Sequence, residues 1–396
     1  MADNVILNLL WQVKLLFFIK ASEIYLEDKI LYNSGVTVEN GRIVAIGKAK
    51  EASAEMIDLG DLKLIPGFID IHVHGGNNYD TMDATYEALN EISKYKLMEG
   101  VTAFCPTTVT SDRDSLANAL ECISKSKDRG VQGARIIGPF IEGPFINSLR
   151  KGAHSSAFIN EKPDESLYDL VESYGDKVSV LIAPELDGAM DIIKELAHRD
   201  INIRLGHSNA CYETAQEAVK YGASIAVHMF NAMAPLSARE PGLLGAGLLN
   251  DKLYTEVICD LVHSHKASLE LLFKVKEKDK IILITDCMRA GGIGDGKFNL
   301  GEEEIMVENG IARSSNGSLA GSTLKMIDGI KNLHDNFNME LRDIINMATI
   351  NPAKALKIDC DCGSIANGKQ ADIIAVDDNF RVKFVMIDGK IKKNAI

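Results

Sequence analysis

The chain is short of positive charge: 43 lysines and arginines against 56 aspartates and glutamates leave a net charge of −13. Such a surface repels nucleic acid and anionic membranes, although a few local cations can still hold a small anion. Paired cysteines are lacking as well. Cys105, Cys122, Cys211, Cys259, Cys287, Cys360 and Cys362 are odd in number and scattered, and a chain of 396 residues needs no disulfide framework. They read as reduced thiols. Cys360 and Cys362 have the spacing of a soft-metal pair but no second pair to complete it, so they read as turn thiols. No membrane-length apolar run is present either. The most apolar stretch, residues 5–19, is interrupted by Asn8, Gln12 and Lys14, is shorter than the roughly 20 residues of a membrane helix, and is followed by no small-residue cleavage site. It reads as an addition ahead of a first strand near residues 16–19. Together these absences point to a cytoplasmic protein with neither a nucleic-acid nor a membrane partner.

What is present begins with residues 67–74, Gly-Phe-Ile-Asp-Ile-His-Val-His. An apolar strand here ends in two imidazoles spaced i and i+2, on one side of the chain, a metal-ligand arrangement that lacks its remaining ligands. Further strands are expected at 68–73, 101–106, 134–141, 178–183, 201–206, 223–227, 254–259 and 280–285, with helical stretches in most gaps. At or just beyond their C-terminal ends stand His72 and His74, Thr107, Glu142, Glu185, His207, His228, Asp260 with His263, and Asp286. That is the pattern of a (β/α)8 barrel of the TIM type, whose chemistry gathers at one face. A doubly wound open sheet is the alternative. It would need a glycine-rich phosphate loop after the first strand and ligands clustered at one switch point, and the sequence has neither.

The rest of the chain divides around that body. Short strand-like runs with tight turns occupy residues 16–64 and recur at 356–396, and neither piece is large enough to bury a good core alone. They are expected to form one small discontinuous β-sandwich, with a barrel over residues 65–355 between them. The fold class is therefore α/β.

Glu142 ends an apolar run between Gly138-Pro139 and Gly143-Pro144, where a carboxylate is costly unless paired or metal-bound. His207 and His228 end successive strands. Together with Glu142 they offer one oxygen and two imidazoles and leave a position open, the composition of a hydrolytic zinc site, with Fe2+ or Mn2+ as chemical alternatives. Asp286 follows the eighth strand, where a carboxylate can take a proton from water and return it to a leaving amine. Arg239 and His263 stand in loops after the sixth and seventh strands. They suit a phosphate, while a surface pairing of Arg239 with Glu240 is the commonplace alternative. His154 is ambiguous by itself.

These segments, with Lys151-Gly152-Ala153-His154, His228-Met229-Phe230-Asn231-Ala232-Met233, Arg239-Glu240-Pro241-Gly242 and Leu319-Ala320-Gly321-Ser322, resemble the N-acetylglucosamine-6-phosphate deacetylases of the amidohydrolase superfamily. The resemblance runs from residue 16 to the end, and its motifs are specific as an ordered set. It implies a barrel with a β-sandwich, a homodimer, and removal of acetate from a phosphorylated N-acetyl amino sugar. It also implies that Glu142, His207 and His228 bind the principal metal, most simply Zn2+, and that Asp286 is the general base and acid. His72 and His74 leave open one ion or two per subunit. By the same resemblance Asn231, the Ala232 backbone, Arg239 and His263 grip phosphate, with His263 reaching across from a partner subunit. His154 contacts the sugar, and Leu319, Ala320, Gly321 and Ser322 line the acetyl end. Two residues depart from the pattern: Phe140 stands where the family usually has histidine, and Leu261 replaces a glycine. They leave room for a related substrate such as the galactosamine epimer.

Two other readings compete. A deaminase or cyclic amidase shares the paired histidines, but the former gives no reason for Arg239 and His263, and the latter normally offers a bridging lysine where this chain has Glu142. A non-catalytic phosphosugar-binding barrel is expected to have lost a ligand or Asp286, and all are present.

Overall fold

A computed structural model describes residues 16–47, 54–172, 174 and 177–396. Most of the apolar stretch at 5–19 lies outside the described residues.

The two ends of the chain meet in one mixed eight-stranded sheet. Its order is Lys390–Asn394, Val382–Ile387, Ile373–Val376, Lys63–Pro66, Leu16–Tyr25, Ile30–Glu39 and Arg42–Gly47, with Glu55–Asp58 paired parallel to Leu16–Tyr25. The junction is the antiparallel ladder Ile373↔Pro66 through Val376↔Lys63. Alternation along the strands puts Phe17, Ile19, Val36, Val38 and Leu64 into one cluster with Ile373, Ala375, Phe384 and Met386, so neither end could bury its apolar face without the other. Buried Asp372 receives both terminal nitrogens of Arg135, at 2.8 and 2.6 Å, which ties this sheet to the main body.

The main body is built of parallel strands joined by helices. Phe68–Val73, Val101–Pro106 and Arg135–Ile136 form one sheet, and Phe140–Ile141, Ser179–Leu181, Asn202–Leu205, Ala223–Ala226, Tyr254–Ile258 and Ile281–Ile284 form a second. Parallel bridges Thr107↔Phe140 and Val73↔Cys287 join the two. Alternate side chains divide into two layers, as a parallel sheet covered on both faces requires. Ile69, Ile71, Ala103, Cys105, Phe140, Leu181, Ile225, Val227, Ile258, Ile282 and Ile284 pack together on one side. Residues such as Phe104, Val180, Ile203, Leu205, Val257 and Leu283 pack with helix residues Leu120, Ile193, Leu269 and Ile330 on the other. The helix Arg113–Arg129 is amphipathic and locally capped: Asp112 accepts the Ser115 N–H at its start, and Gly130 follows its end.

The strand expected over 134–141 is not continuous. Arg135–Ile136 pairs with Val101–Pro106, and Phe140–Ile141 pairs with Ser179–Leu181. Pro139, between them, has no N–H to give a ladder. Gly138 approaches its neighbour so closely that an added Cβ would lie 2.4 Å from the Lys177 carbonyl oxygen. A three-stranded antiparallel sheet, Gly296–Leu300, Glu303–Glu308 and Ile311–Ser314, follows the strand Ile281–Ile284. Its apolar face, Leu300, Ile305, Val307 and Ala312, packs on Val109, Ala153, Met288 and Ala320.

Candidate metal centre and substrate cavity

His72, His74, Glu142, His207, His228 and Asp286 stand at, or within a few residues of, the C-terminal end of a parallel strand, while His154 comes from the loop after the turn Ser148–Arg150. His207, His228 and Asp286 leave their strands with φ of +44°, +24° and +51°, left-handed values that residues other than glycine seldom adopt. Gly206, just before His207, allows two strands to meet: a Cβ there would lie 2.1 Å from Val227 Cγ2.

Five imidazoles converge on one carboxylate. Glu142 Oε1 lies 3.4 Å from His72 Nε2, 3.4 Å from His207 Nε2 and 3.2 Å from His228 Nε2. Its Oε2 lies 3.1 Å from His74 Nε2 and 3.6 Å from His154 Nε2. Asp286 Oδ1 closes the group at 3.5 Å from His72 Nε2 and 3.2 Å from His74 Nε2. Two ligands of a tetrahedral zinc ion, each about 2.0–2.1 Å from it, stand about 3.3 Å apart. The cluster therefore has the spacing of ligands around an ion. His72 Nε2 is also fully buried without a hydrogen-bond partner, a costly state unless a cation satisfies it. Among the described residues one group of three donors is His72, His74 and Asp286 and another is Glu142, His154 and His207, with His228 Nε2 against the same Glu142 oxygen as His207.

For His207, His72 and His154 a hydrogen bond on the far side of the ring sets which nitrogen is free to ligate. His207 Nδ1 faces the Arg150 carbonyl at 2.9 Å and must donate to it, so Nε2 keeps its lone pair. His72 Nδ1 likewise donates to Glu256 at 3.0 Å. His154 is reversed: its Nδ1 accepts the Thr110 N–H at 3.2 Å, so in the neutral ring the proton sits on Nε2. His154 is thus a hydrogen-bond donor into the cavity and is unsuited to ligate, although it lies within the Glu142 cluster.

Charge follows the same division. Burial and the neighbouring His154 push His207 down to about 4, which keeps it neutral. Burial alone would raise Asp286, but the charges of His72 and His74 and a hydrogen bond from His74 hold it at about 2, so it is ionised. Burial opposes protonation of His74, yet Asp286 and Glu142 outweigh it and raise the ring to about 9. A ring raised above its unfolded value stabilises the fold fully below about pH 6.5, and loses that contribution as pH climbs through the raised value. In chelator-treated protein the melting temperature is accordingly expected to fall between pH 6.5 and 9. Zinc-loaded protein, whose imidazoles must stay neutral, should lack that slope. Equal slopes in the two melting series would contradict the ligand assignment.

A cavity of about 280 Å³ opens above the cluster. Of the residues singled out in the sequence, its walls include His74, Glu142, His154, His207, His228, Asn231, Ala232, His263, Asp286, Leu319 and Gly321. His72 lies fully buried beneath them. Ala320 and Ser322 are buried behind the wall, where Ser322 donates its N–H to the Asp286 carbonyl at 2.7 Å and its hydroxyl to the Thr285 carbonyl at 2.5 Å. Arg239 is exposed, in a loop outside the lining. Val109, Gly152, Ala153, Leu300 and Ser318 also line the cavity and were not anticipated. Leu300 and Ser318 belong to or flank the inserted antiparallel sheet, whose short polar strands gave no sign of returning to the site.

His263 lines the cavity of its own chain. Asp260 holds it there: one oxygen accepts the N–H groups of Val262 and His263, and the other takes the His263 Nδ1–H at 2.6 Å. This wrap requires Leu261 to adopt φ +62°, a conformation glycine takes more easily. Burial disfavours the charged ring, but the hydrogen bond and charge of Asp260 outweigh it and raise its pKa.

Residues 64–392 match the Amidohydrolase family. The chain is 41% identical over 360 residues to N-acetylglucosamine-6-phosphate deacetylase of Vibrio furnissii, with 90% of each chain covered. It is 34% identical over 378 residues to N-acetylgalactosamine-6-phosphate deacetylase of Escherichia coli O157:H7, covering 94% of this chain and 98% of the relative. The crystal structure of N-acetylglucosamine-6-phosphate deacetylase from Pasteurella multocida superposes with a TM-score of 0.90 at 30% identity, over 96% of this chain and 100% of that one. The likeness thus spans both the parallel-strand body and the sheet made from the chain ends, and the chain belongs to the amidohydrolase family.

Proposed function

We propose that this chain is a metal-dependent deacetylase of phosphorylated N-acetyl amino sugars, converting N-acetylglucosamine 6-phosphate to glucosamine 6-phosphate and acetate. The observation that carries the reading is the convergence of five imidazoles on Glu142, with Asp286 beside them and His263 in the same cavity. In this reading the strands of the main body close as a (β/α)8 barrel over residues 65–355, and residues 16–64 and 356–396 make a β-sandwich beside it. Glu142, His207 and His228 hold the principal ion, most simply Zn2+ with Fe2+ or Mn2+ as alternatives, and His72 and His74 hold a second with Asp286.

The metal, when bound, supplies Lewis acidity that polarises the amide carbonyl and makes water acidic enough to attack it. Asp286 accepts the proton of the attacking water as the oxygen–carbon bond forms, then delivers it to the sugar nitrogen as the carbon–nitrogen bond breaks. His154 directs its Nε2–H at the sugar, and Leu319 and Gly321 border the acetyl group. Asn231, the Ala232 backbone and His263 take the phosphate, which orients the substrate more than it participates in the chemistry. Arg239, exposed in a loop outside the cavity lining, is a further phosphate group in this reading, and the protein is a homodimer. Seven free cysteines and, among the described residues, no helix long and apolar enough to cross a membrane accord with work in the cytoplasm.

The phosphate arm gives a direct expectation. His263→Ala, and Asp260→Ala through release of His263, should each raise KM for the phosphorylated sugar about 10–100-fold, the worth of a charge-assisted hydrogen bond, with little change in kcat. An equal loss on an unphosphorylated N-acetyl sugar would remove the phosphate role. The galactosamine epimer is the second reading, favoured by the 34% identical relative named for it. Acetate release from the two 6-phosphates and from unphosphorylated N-acetylglucosamine, measured side by side, decides among them. Preference for the gluco 6-phosphate supports the proposal, preference for its epimer supports the second reading, and absence of release from either overturns both.

A further inference from the structure

Two charged side chains lie buried beneath the metal centre, and the chemistry above does not use them. Arg204 and Glu256, from the neighbourhood of strands Asn202–Leu205 and Tyr254–Ile258, are both 0% exposed. Arg204 donates from Nη1 to Glu256 Oε1 at 2.7 Å and to the Ile71 carbonyl at 2.9 Å, and from Nη2 to Ser179 Oγ at 3.0 Å. Its guanidinium also lies 3.9 Å from the centre of the Phe140 ring. The second oxygen of Glu256 accepts the Nδ1–H of His72 at 3.0 Å, and Phe140 meets His72 edge to face at 4.9 Å. His72 is thus held at its far nitrogen by a carboxylate that a buried cation holds in turn, and at its side by an aromatic ring that rests on the same cation.

The other rings of the cluster are oriented differently. His207 donates to a neutral backbone carbonyl, and His154 accepts from a backbone N–H. Among the described residues, His72 has a full carboxylate on its Nδ1. A carboxylate there fixes the Nε2-ligating tautomer, restricts ring rotation and strengthens the ring as a donor. The departure at Phe140 also acquires a physical sense: its apolar ring covers a face of the Arg204 guanidinium and meets His72 edge to face.

We propose that Glu256, held by Arg204 and shielded by Phe140, is a positioning residue that fixes His72 as a metal ligand and so retains the second ion of the centre. This rests on the metal-dependent reading above. Glu256→Ala strands a buried guanidinium, so the stronger test is the double variant Arg204→Leu with Glu256→Leu, which leaves no unpaired charge. Zinc per chain is measured by elemental analysis after loading, the two affinities by titration against a chromophoric chelator, and the cobalt-substituted protein by its visible absorption.

The wild type is expected to hold two ions. The double variant should keep the first at unchanged affinity, bind the second about 10–100-fold more weakly, and lose part of the cobalt spectrum. A folded but generally damaged centre would lose both ions together, which would overturn the positioning role. So would a double variant that holds both ions as tightly as the wild type, or a wild type that saturates at one ion. A wild type that binds no zinc would contradict the metal-dependent reading itself, so the two failures are told apart.

Discussion

Glu142→Gln is expected to lower kcat by at least about a thousandfold and to strip most bound metal, because a Lewis acid contributes several kcal/mol to such a reaction and each 1.36 kcal/mol is tenfold in rate. No other residue in the site has so many partners. Its two oxygens face His72, His207 and His228 on one side and His74 and His154 on the other, so an amide at this position removes negative charge from both groups of ligands. In the absence of metal the carboxyl is itself held well below its ordinary range: burial works against ionisation, and the charge of His72 with the other imidazoles around the carboxylate prevails. Elemental analysis of the purified variant beside its acetate-release rate checks the prediction. A variant with wild-type zinc and turnover would leave the cluster without its organising member.

Asp286→Asn is expected to produce the second large effect, of a different kind. An asparagine has the shape of the aspartate and cannot take a proton, so kcat should fall by about a hundredfold to ten-thousandfold, the usual worth of a general acid–base group. KM for the phosphorylated sugar should change little, because the phosphate contacts lie elsewhere in the cavity. The ion at Glu142, His207 and His228 should also remain, since Asp286 belongs to the other group, with His72 and His74. Steady-state kinetics and metal content of the same preparation separate the two variants: Glu142→Gln loses metal and rate together, whereas Asp286→Asn loses rate with the principal ion in place. Loss of all metal from Asp286→Asn would show that the carboxylate serves as a ligand before it serves as a base.

The parts of this site legible in the sequence share one physical signature, a ligating side chain where an apolar strand runs out. His72, His74, Glu142, His207, His228 and Asp286 were all found in that way, and the fold gathers them into one cluster. Less was legible wherever the outcome depended on a partner distant in sequence. Arg204 and Glu256 interrupt apolar strands, which was a signal that could have been read, since charge in such a place demands a partner. That each is the other's partner, 52 positions apart, depends on how the strands lie together. The break at Pro139 follows from a missing N–H and was visible in principle, but the apolar pattern around it is continuous. The loop position of His263 alone says nothing of direction, and its reach across an interface was only what the resemblance implied. The turn through Leu261 and the grip of Asp260 send it inward, while Arg239 on the neighbouring loop stays in solvent.

Phe140 and Leu261, the two departures from the family pattern, have different consequences. Phe140 belongs to the support beneath His72, away from the open cavity, and bears on metal retention. Leu261 occupies a left-handed turn beside the phosphate-side imidazole and packs partly on the main core, so its cost is local backbone strain. Neither side chain lines the cavity in which the sugar would lie.

The most direct measurement is acetate release from N-acetylglucosamine 6-phosphate by one preparation in three states: zinc-loaded, stripped by chelator, and reloaded. The account predicts turnover in the first, loss in the second and recovery in the third, with bound zinc tracking the rate. Unchanged turnover after zinc is shown to be gone, or no acetate from protein shown to hold it, would contradict the account.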